Sequence, residues 1–205
     1  MSDDGIVSRG FRGRRPQADV RDRIPPGQYL EQGFPVLTAG PTPHVALDRW
    51  DFRILGPDGA ARGRWSWADF NALAHEDVTC DIHCVTRWSK LDTHWRGVRL
   101  DDLLGEVPEG VTHVVAFCDG GYTTNMPIDA VVGGKAWVAD TYEGSALDAE
   151  HGGPARLLVP ALYLWKSAKW VRGLQLLQGD RPGFWEKRGY HNEGDPWKEQ
   201  RFWED

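Results

Sequence analysis

Apolar and polar residues alternate through Trp50-Asp51-Phe52-Arg53-Ile54-Leu55, the period-two signature of a half-buried strand, and Gly56-Pro57-Asp58-Gly59 supplies a turn directly after it. Residues 66–74 predict a short helix, with Ser66 as N-cap and Asp69 three residues on. Residues 78–85 are predicted extended, and 100–104 one helical turn. Apolar runs at 112–118 and 136–141 predict buried strands. Two more are predicted at 156–159 and 170–177, separated by an ordered crossing segment. Strands outnumber helices, no long 3.6-residue period appears, and no repeat is visible. The expected fold class is α+β, a β-rich domain of mixed or antiparallel sheet.

The pattern divides the chain into three stretches. Residues 1–31 carry six arginines and hardly any apolar content, and predict a basic, extended arm or strap. Residues 32–178 carry the globular pattern. Residues 179–205 are rich in turns and rings (Phe184-Trp185, Tyr190, Trp197, Phe202-Trp203), too apolar for a free tail, so they are expected to pack on the same domain.

Composition narrows the function classes. The chain has 205 residues, 40% hydrophobic and 26% charged, which excludes a disordered polypeptide. A formal charge of −6 argues against a nucleic-acid surface. The longest apolar run, 157–165, contains Pro160 and falls well short of the about 20 residues of a membrane span. Arg14-Arg15 is followed by Pro16-Gln17-Ala18-Asp19 rather than by an apolar export segment. Cys80, Cys84 and Cys118 are too few for a disulfide framework. A cytoplasmic protein with reduced thiols is expected. Eleven tryptophans and 24 glycines suit a β-rich domain around a walled pocket.

Three groups could carry chemistry. In Cys80-Asp81-Ile82-His83-Cys84-Val85-Thr86-Arg87-Trp88-Ser89, an extended chain aligns Cys80, Ile82 and Cys84 and turns His83 away. Zinc would need distant further ligands, since no Cys-x-x-Cys pair exists. A thiol beside Arg87 would have a lowered pKa and serve as nucleophile or metal ligand, the alternative being a small buried hydrophobe. His151-Gly152-Gly153-Pro154-Ala155-Arg156, with Lys166-Ser167-Ala168-Lys169, offers donors suited to a phosphate. Its spacing matches neither a Walker loop nor a Gly-x-Gly-x-x-Gly motif, and a hairpin plus a solvated edge strand would explain it as well. Cys118-Asp119-Gly120-Gly121-Tyr122 follows a buried strand, presenting an acceptor at Asp119 and a donor at Tyr122, or a plain Gly-Gly turn.

Taken in order, these groups resemble the molybdopterin-binding domain of the sulfite oxidase family, its small bacterial members in particular, over residues 34–177. The resemblance implies that family's β-rich mixed-sheet fold and a molybdenum–molybdopterin cofactor. Cys84 is then the metal ligand, and His151, Arg156, Ser167, Ala168 and Lys169 grip the pterin phosphate. Asp119 and Thr38 are further pterin contacts, and Tyr122 with Arg87 would orient substrate or pass a proton. Two departures accompany the likeness: Leu37 stands where true sulfite oxidases place a substrate-facing arginine, and only Arg87 follows the cysteine before Trp88. A core without a preceding haem domain or a following dimerisation domain is expected, which points away from sulfite. The implied function is two-electron oxygen-atom transfer on a small substrate, a sulfite-like oxo-anion or an S- or N-oxide, with an unidentified electron donor or acceptor protein. Two other readings are a thiol enzyme or hydrolase pairing Cys84 with His83 or another histidine, and a non-catalytic domain that retains the fold.

Overall fold

The helix signal at Ser66 folds as its chemistry dictates. The Ser66 hydroxyl accepts the Asp69 N–H, the Asp69 carboxylate accepts the Ser66 N–H, and α1 (Trp67–Asn71) buries Phe70. This computed structural model describes residues 18–205. The chain forms two sheets. The first contains β1 (Tyr29–Leu30), β4 (Glu76–His83), β5 (Trp88–Arg99), β8 (Trp137–Tyr142), β9 (Ser145–Ala146) and β10 (Arg156–Leu158). The second runs β3 (Ala61–Ser66), β2 (Asp51–Leu55), β11 (Val171–Leu177), β6 (His113–Cys118), β7 (Thr123–Pro127). Both are mixed: β1 joins β5 in parallel while β4 and β8 join it antiparallel, and β11 lies parallel to β2 but antiparallel to β6. Helix α2 (Leu100–Leu104) follows β5 directly. The expected sheet-rich α+β fold is the one observed.

Side-chain alternation builds two apolar layers. Val138 and Leu157 enter the main core with Phe52, Ile54, Val114, Leu174 and Leu176, whereas their chain neighbours Ala139 and Leu158 pack on the other face with Ile82, Cys84, Trp88 and Trp95. That second cluster brings Cys84 into the interior.

Five strands lie outside the sequence expectation: the two-residue β1 and β9, and the longer β3, β5 and β7. β5, the longest, exposes Asp92, His94 and Arg96 and buries Thr93, Trp95 and Gly97 between them. β3 and β7 pair with β2 and β6. The strand expected over 78–85 starts at Glu76 and stops at His83. A turn ends it: the Arg87 N–H donates to the Cys84 carbonyl at 3.0 Å, the Cys84 N–H donates to the Trp88 carbonyl at 2.8 Å, and Arg87 takes φ 73°. Cys84 therefore sits at a hairpin tip.

Both ends of the described chain are tied down. Arg23 bridges Asp81 and Asp92, each at 2.6 Å, ahead of β1; Arg14-Arg15 and the rest of the expected arm to residue 17 lie outside the described residues. In the tail, the Phe184 N–H donates to the Thr123 carbonyl at 2.7 Å and Arg201 reaches the Pro26 carbonyl at 3.1 Å. Among the described residues, no helix is long and apolar enough to cross a membrane.

Candidate active site

A cavity of about 540 Å³ opens where five segments converge: residues 34–43, the Cys84 hairpin tip, the turn after β6, the 164–170 crossing, and tail residues 184–190. Its wall brings together Thr38, Cys84, Asp119, Tyr122, Arg156, Ser167, Ala168 and Lys169 of the sequence-derived set. His151 stands just behind the wall, and Arg87 faces solvent on the hairpin turn.

Cys84 is 6% exposed, and its Sγ accepts a hydrogen bond from the Thr86 hydroxyl at 3.1 Å. The sequence suggested that Arg87 would depress this thiol. Instead burial pushes it up, against the hydrogen bonds from Thr86 and Val85 and the charge of Lys169, while Arg87 is exposed on the turn. His83 is no base for it: its Nδ1 lies 2.8 Å from Ser89 Oγ, and burial drives its pKa down to about 4. Among the described residues no three His, Cys, Asp or Glu side chains gather as a metal-ligand set.

Two cations define the opposite side. Arg156, on β10, is fully enclosed and donates to the carbonyls of His151 (2.8 Å) and Ser167 (2.7 Å). Half-buried Lys169 donates to the carbonyls of Leu37 (2.8 Å) and Glu150 (2.5 Å). Burial lowers Arg156 to about 10; burial, then the neighbouring Arg156 charge, lowers Lys169 to about 8. Among the described residues, both cations hydrogen-bond only to backbone carbonyls. Buried charge without a counter-ion is costly, so the pair calls for an anion in the cavity.

Backbone geometry sets this pair. Gly152 takes φ 112° after the His151 turn, and a Cβ there would stand 3.0 Å from Lys169 Cα and 3.1 Å from Arg156 Cβ. The bare glycine lets the turn close on both elements, and its carbonyl accepts the Trp170 N–H at 3.2 Å. The His151 ring stacks on Phe34 at 4.2 Å, and its Nε2–H donates to the Phe34 carbonyl at 3.0 Å. His151 thus acts through Phe34.

The remaining predicted groups are held as follows. Ser167 Oγ accepts the Val159 N–H at 2.8 Å, and the Ala168 carbonyl accepts the Leu157 N–H at 2.8 Å. Asp119 pairs with Arg172 at 3.2 Å. Tyr122 donates to the Trp165 carbonyl at 2.6 Å, and burial, then the Glu186 charge, lifts its pKa well above the ordinary value. Thr38 donates to the Gly40 carbonyl at 2.7 Å.

Sequence reasoning missed several contributors. Lys166, considered for a solvated edge strand, is 0% exposed: it pairs with Glu186 at 2.6 Å and donates to the carbonyls of Asn125 and Asn192, both at 2.7 Å. The tail supplies Phe184, Trp185 and Tyr190 to the cavity wall. Its ring density was the available signal.

The donor set fits the molybdenum–molybdopterin group. Such a group brings sulfur ligands of its own and needs one protein thiolate, which matches a lone buried Cys84. It also brings a phosphate, which matches two cations lacking a carboxylate partner.

Known proteins agree. Residues 39–185 match the family described as "Oxidoreductase molybdopterin binding domain". The chain is 40% identical over 193 residues to the uncharacterized oxidoreductase YuiH of Bacillus subtilis (strain 168), covering 93% of this chain and 97% of that one. It is 22% identical over 180 residues to mitochondrial sulfite oxidase of Rattus norvegicus, covering 73% of this chain and 33% of that relative, about a third of its length. The crystal structure of the sulfane dehydrogenase SoxCD from Paracoccus pantotrophus shares the fold, with TM-score 0.61 and 19% identity over 73% of this chain and 43% of that one. With the family model matching most of the chain and the Bacillus subtilis relative matched along nearly its whole length, the chain belongs to the oxidoreductase molybdopterin-binding domain family, oxidoreductases whose cofactor is molybdenum–molybdopterin.

Proposed function

We propose that the protein is a molybdenum-dependent oxidoreductase that transfers an oxygen atom, with two electrons, on a small substrate, either a sulfite-like oxo-anion or an S- or N-oxide. The observation that carries this reading is the charge state of the cavity: Arg156 and Lys169 hydrogen-bond only to carbonyls among the described residues, beside the buried Cys84 thiol. When bound, the cofactor supplies two-electron redox chemistry that protein side chains lack. The chain's own residues hold and orient it. Cys84 is the metal ligand, and the Thr86 hydroxyl donating to its Sγ favours the thiolate over the thiol. Arg156 and Lys169 bind the phosphate; His151, Ser167 and Ala168 keep the surrounding backbone in place, and Thr38 and Asp119 border the pterin. Tyr122 keeps its proton at neutral pH and orients substrate from the wall. Arg87, on the solvent side of the hairpin, steers what approaches the mouth.

The functional unit is residues 32–178 together with the 179–205 tail that completes its wall. Electrons pass to or from a separate redox protein. Three unpaired cysteines suit a reducing compartment, and we assign the protein to the cytoplasm. The thiol-enzyme alternative is disfavoured, because His83 is held by Ser89 and is no base for Cys84, and burial raises the thiol's pKa.

The test is elemental analysis of protein from a molybdopterin-producing host. The reading expects about one molybdenum per chain, lost in Cys84→Ser while far-ultraviolet circular dichroism stays unchanged. Wild-type protein without molybdenum refutes it.

A further inference from the structure

We infer that Gln28, just ahead of β1, is a positioning residue for the metal ligand: its side-chain amide clamps the Cys84 hairpin tip and fixes where the thiol stands. This rests on the reading of Cys84 above. It adds a residue that lies outside both the cavity wall and the 39–185 stretch matching the family.

The local sequence presents Gln28 from a fixed turn. In Pro25-Pro26-Gly27-Gln28 the ring of Pro26 presets φ and Gly27 takes φ 70°, so the chain reverses and the Gln28 N–H donates to the Pro25 carbonyl at 3.2 Å. The tail holds this turn in place. Arg201, 6% exposed, donates to the Pro26 carbonyl at 3.1 Å and pairs with Glu199 at 2.9 Å. From the turn, β1 runs along the hairpin. Its Tyr29 N–H donates to the Arg87 carbonyl at 2.9 Å, and the Glu31 N–H beyond it donates to the Ser89 carbonyl at 2.8 Å.

Gln28 Nε2 donates to the Cys84 carbonyl at 3.1 Å. That carbonyl also accepts the Arg87 N–H at 3.0 Å, so both its lone pairs are used, and the Cys84 N–H donates to the Trp88 carbonyl at 2.8 Å. The backbone of residue 84 is thus bonded on both sides, and Sγ hangs one methylene from it. The clamp works against a real opposing force. Arg87 holds φ 73°, an unfavourable conformation for a residue with a Cβ, so the turn from 84 to 87 tends to open. Bonds from the neighbouring segment meet it at both ends, Gln28 at residue 84 and Tyr29 at residue 87.

The far end of the amide is enclosed as well. Gln28 Oε1 and the Tyr163 hydroxyl are both buried, and neither has an aligned hydrogen-bond partner among the described residues. They are neighbours: burial raises the Tyr163 pKa, and the Arg201 charge, then the Gln28 amide, work against that rise. A phenol donates and an amide oxygen accepts, so the two groups complement each other. Gln28 is therefore confined between the core residue Tyr163 and the hairpin tip, a placement that suits holding the tip more than binding solvent.

The experiment compares wild type with Gln28→Met, which keeps the length of the side chain and removes its polar atoms. Ser66→Ala serves as control, because its lost helix cap costs the fold a similar amount of stability far from the hairpin in sequence. In the cofactor-free full chain, iodoacetamide alkylation of Cys84, located by peptide mass spectrometry, should run about tenfold faster in Gln28→Met, the scale of one lost hydrogen bond. In Ser66→Ala it should stay within about twofold of wild type. In holoenzyme of measured molybdenum content, the paramagnetic resonance signal after one-electron reduction should shift or broaden in Gln28→Met and match wild type in Ser66→Ala. A general loss of stability would not separate the two variants in this way. Unchanged alkylation and an unchanged signal in Gln28→Met, or equal changes in both variants, would overturn the inference while molybdenum in the wild type left the oxidoreductase reading standing. A wild-type chain without molybdenum would overturn that reading, and this inference with it.

Discussion

Replacing Glu186 with Gln removes the counter-charge of a lysine that has no access to water. Lys166 is 0% exposed and the Glu186 side chain 1%, with Nζ and Oε1 2.6 Å apart. The same Oε1 accepts the Trp165 indole N–H and the Thr124 hydroxyl, both at 2.9 Å. Lys166 would keep its bonds to the Asn125 and Asn192 carbonyls, but an uncompensated buried charge costs about 3–5 kcal/mol. For a chain of this size each kcal/mol moves the melting temperature about 2–4 °C, so Glu186→Gln should melt about 6–20 °C lower. Removing the charge from both partners should recover much of the loss, since buried pairs often exchange for apolar residues without net cost. Thermal unfolding of wild type, Glu186→Gln, Lys166→Met and the double variant Lys166→Met/Glu186→Leu forms the assay. Trypsin provides a local readout, because Lys187 and Arg188 are exposed beside the lost anchor and should be cut sooner in the single variants. A single-variant loss under about 1 kcal/mol, or a double variant as unstable as the two singles summed, would refute the assignment of this pair as the tail's anchor.

Three other outcomes follow from the same structure. Burial alone would raise the Asp51 carboxyl, but hydrogen bonds from Arg53, Arg172 and Arg64 hold it well below the usual carboxylate range. A depressed folded-state pKa contributes stability above the unfolded value near 4 and loses it below, so urea-unfolding curves of wild type and Asp51→Asn should converge as the pH falls below about 4. Gly152→Ala places a side chain at φ 112° against Lys169 and Arg156; differential scanning fluorimetry should show about 1–3 kcal/mol of destabilisation. Lys169→Met should strip most of the pterin from purified protein, measured as fluorescence of the released, oxidised pterin, while leaving the cofactor-free chain at least as stable as wild type.

The fold was legible wherever burial and residue type agree. Ser66 and Asp69 define a helix start through two reciprocal hydrogen bonds, and the apolar run ending at Cys118 can be little other than a buried strand. β5 was illegible for a physical reason. Its inward positions include Thr93 and Gly97, which do not read as core residues, and Gly97 is required because a Cβ there would overlap the Val138 carbonyl oxygen. Its outward face carries Asp92, His94 and Arg96, so the alternation was present but lacked hydrophobic weight. The end of β4 was misplaced by two residues because apolar Val85 lies in a turn closed by backbone hydrogen bonds, which no side-chain pattern announces.

The site was legible as a set of residue types, and its electrostatics were not. The resemblance of its motifs to the molybdopterin-binding domain pointed to Cys84, Arg156 and Lys169, and the cavity brings all three together. The effect of Arg87 on the thiol could not be read from adjacency, because neighbours at a hairpin tip point in different directions: one into the cavity, one to solvent. Lys166 and Lys169 sit three residues apart and look alike in sequence, yet they have opposite roles. Lys166 meets a carboxylate twenty residues further on and is neutralised within the protein. Lys169 hydrogen-bonds to carbonyls, forms no ion pair with a carboxylate among the described residues, and feels the repelling charge of Arg156 more than the attraction of Glu150. A structural lysine is satisfied when the chain has folded; a binding lysine is left short of a counter-charge that only a ligand supplies. That difference accounts for the opposite signs expected at the two positions, where removing Lys166 should weaken the fold and removing Lys169 should weaken cofactor retention.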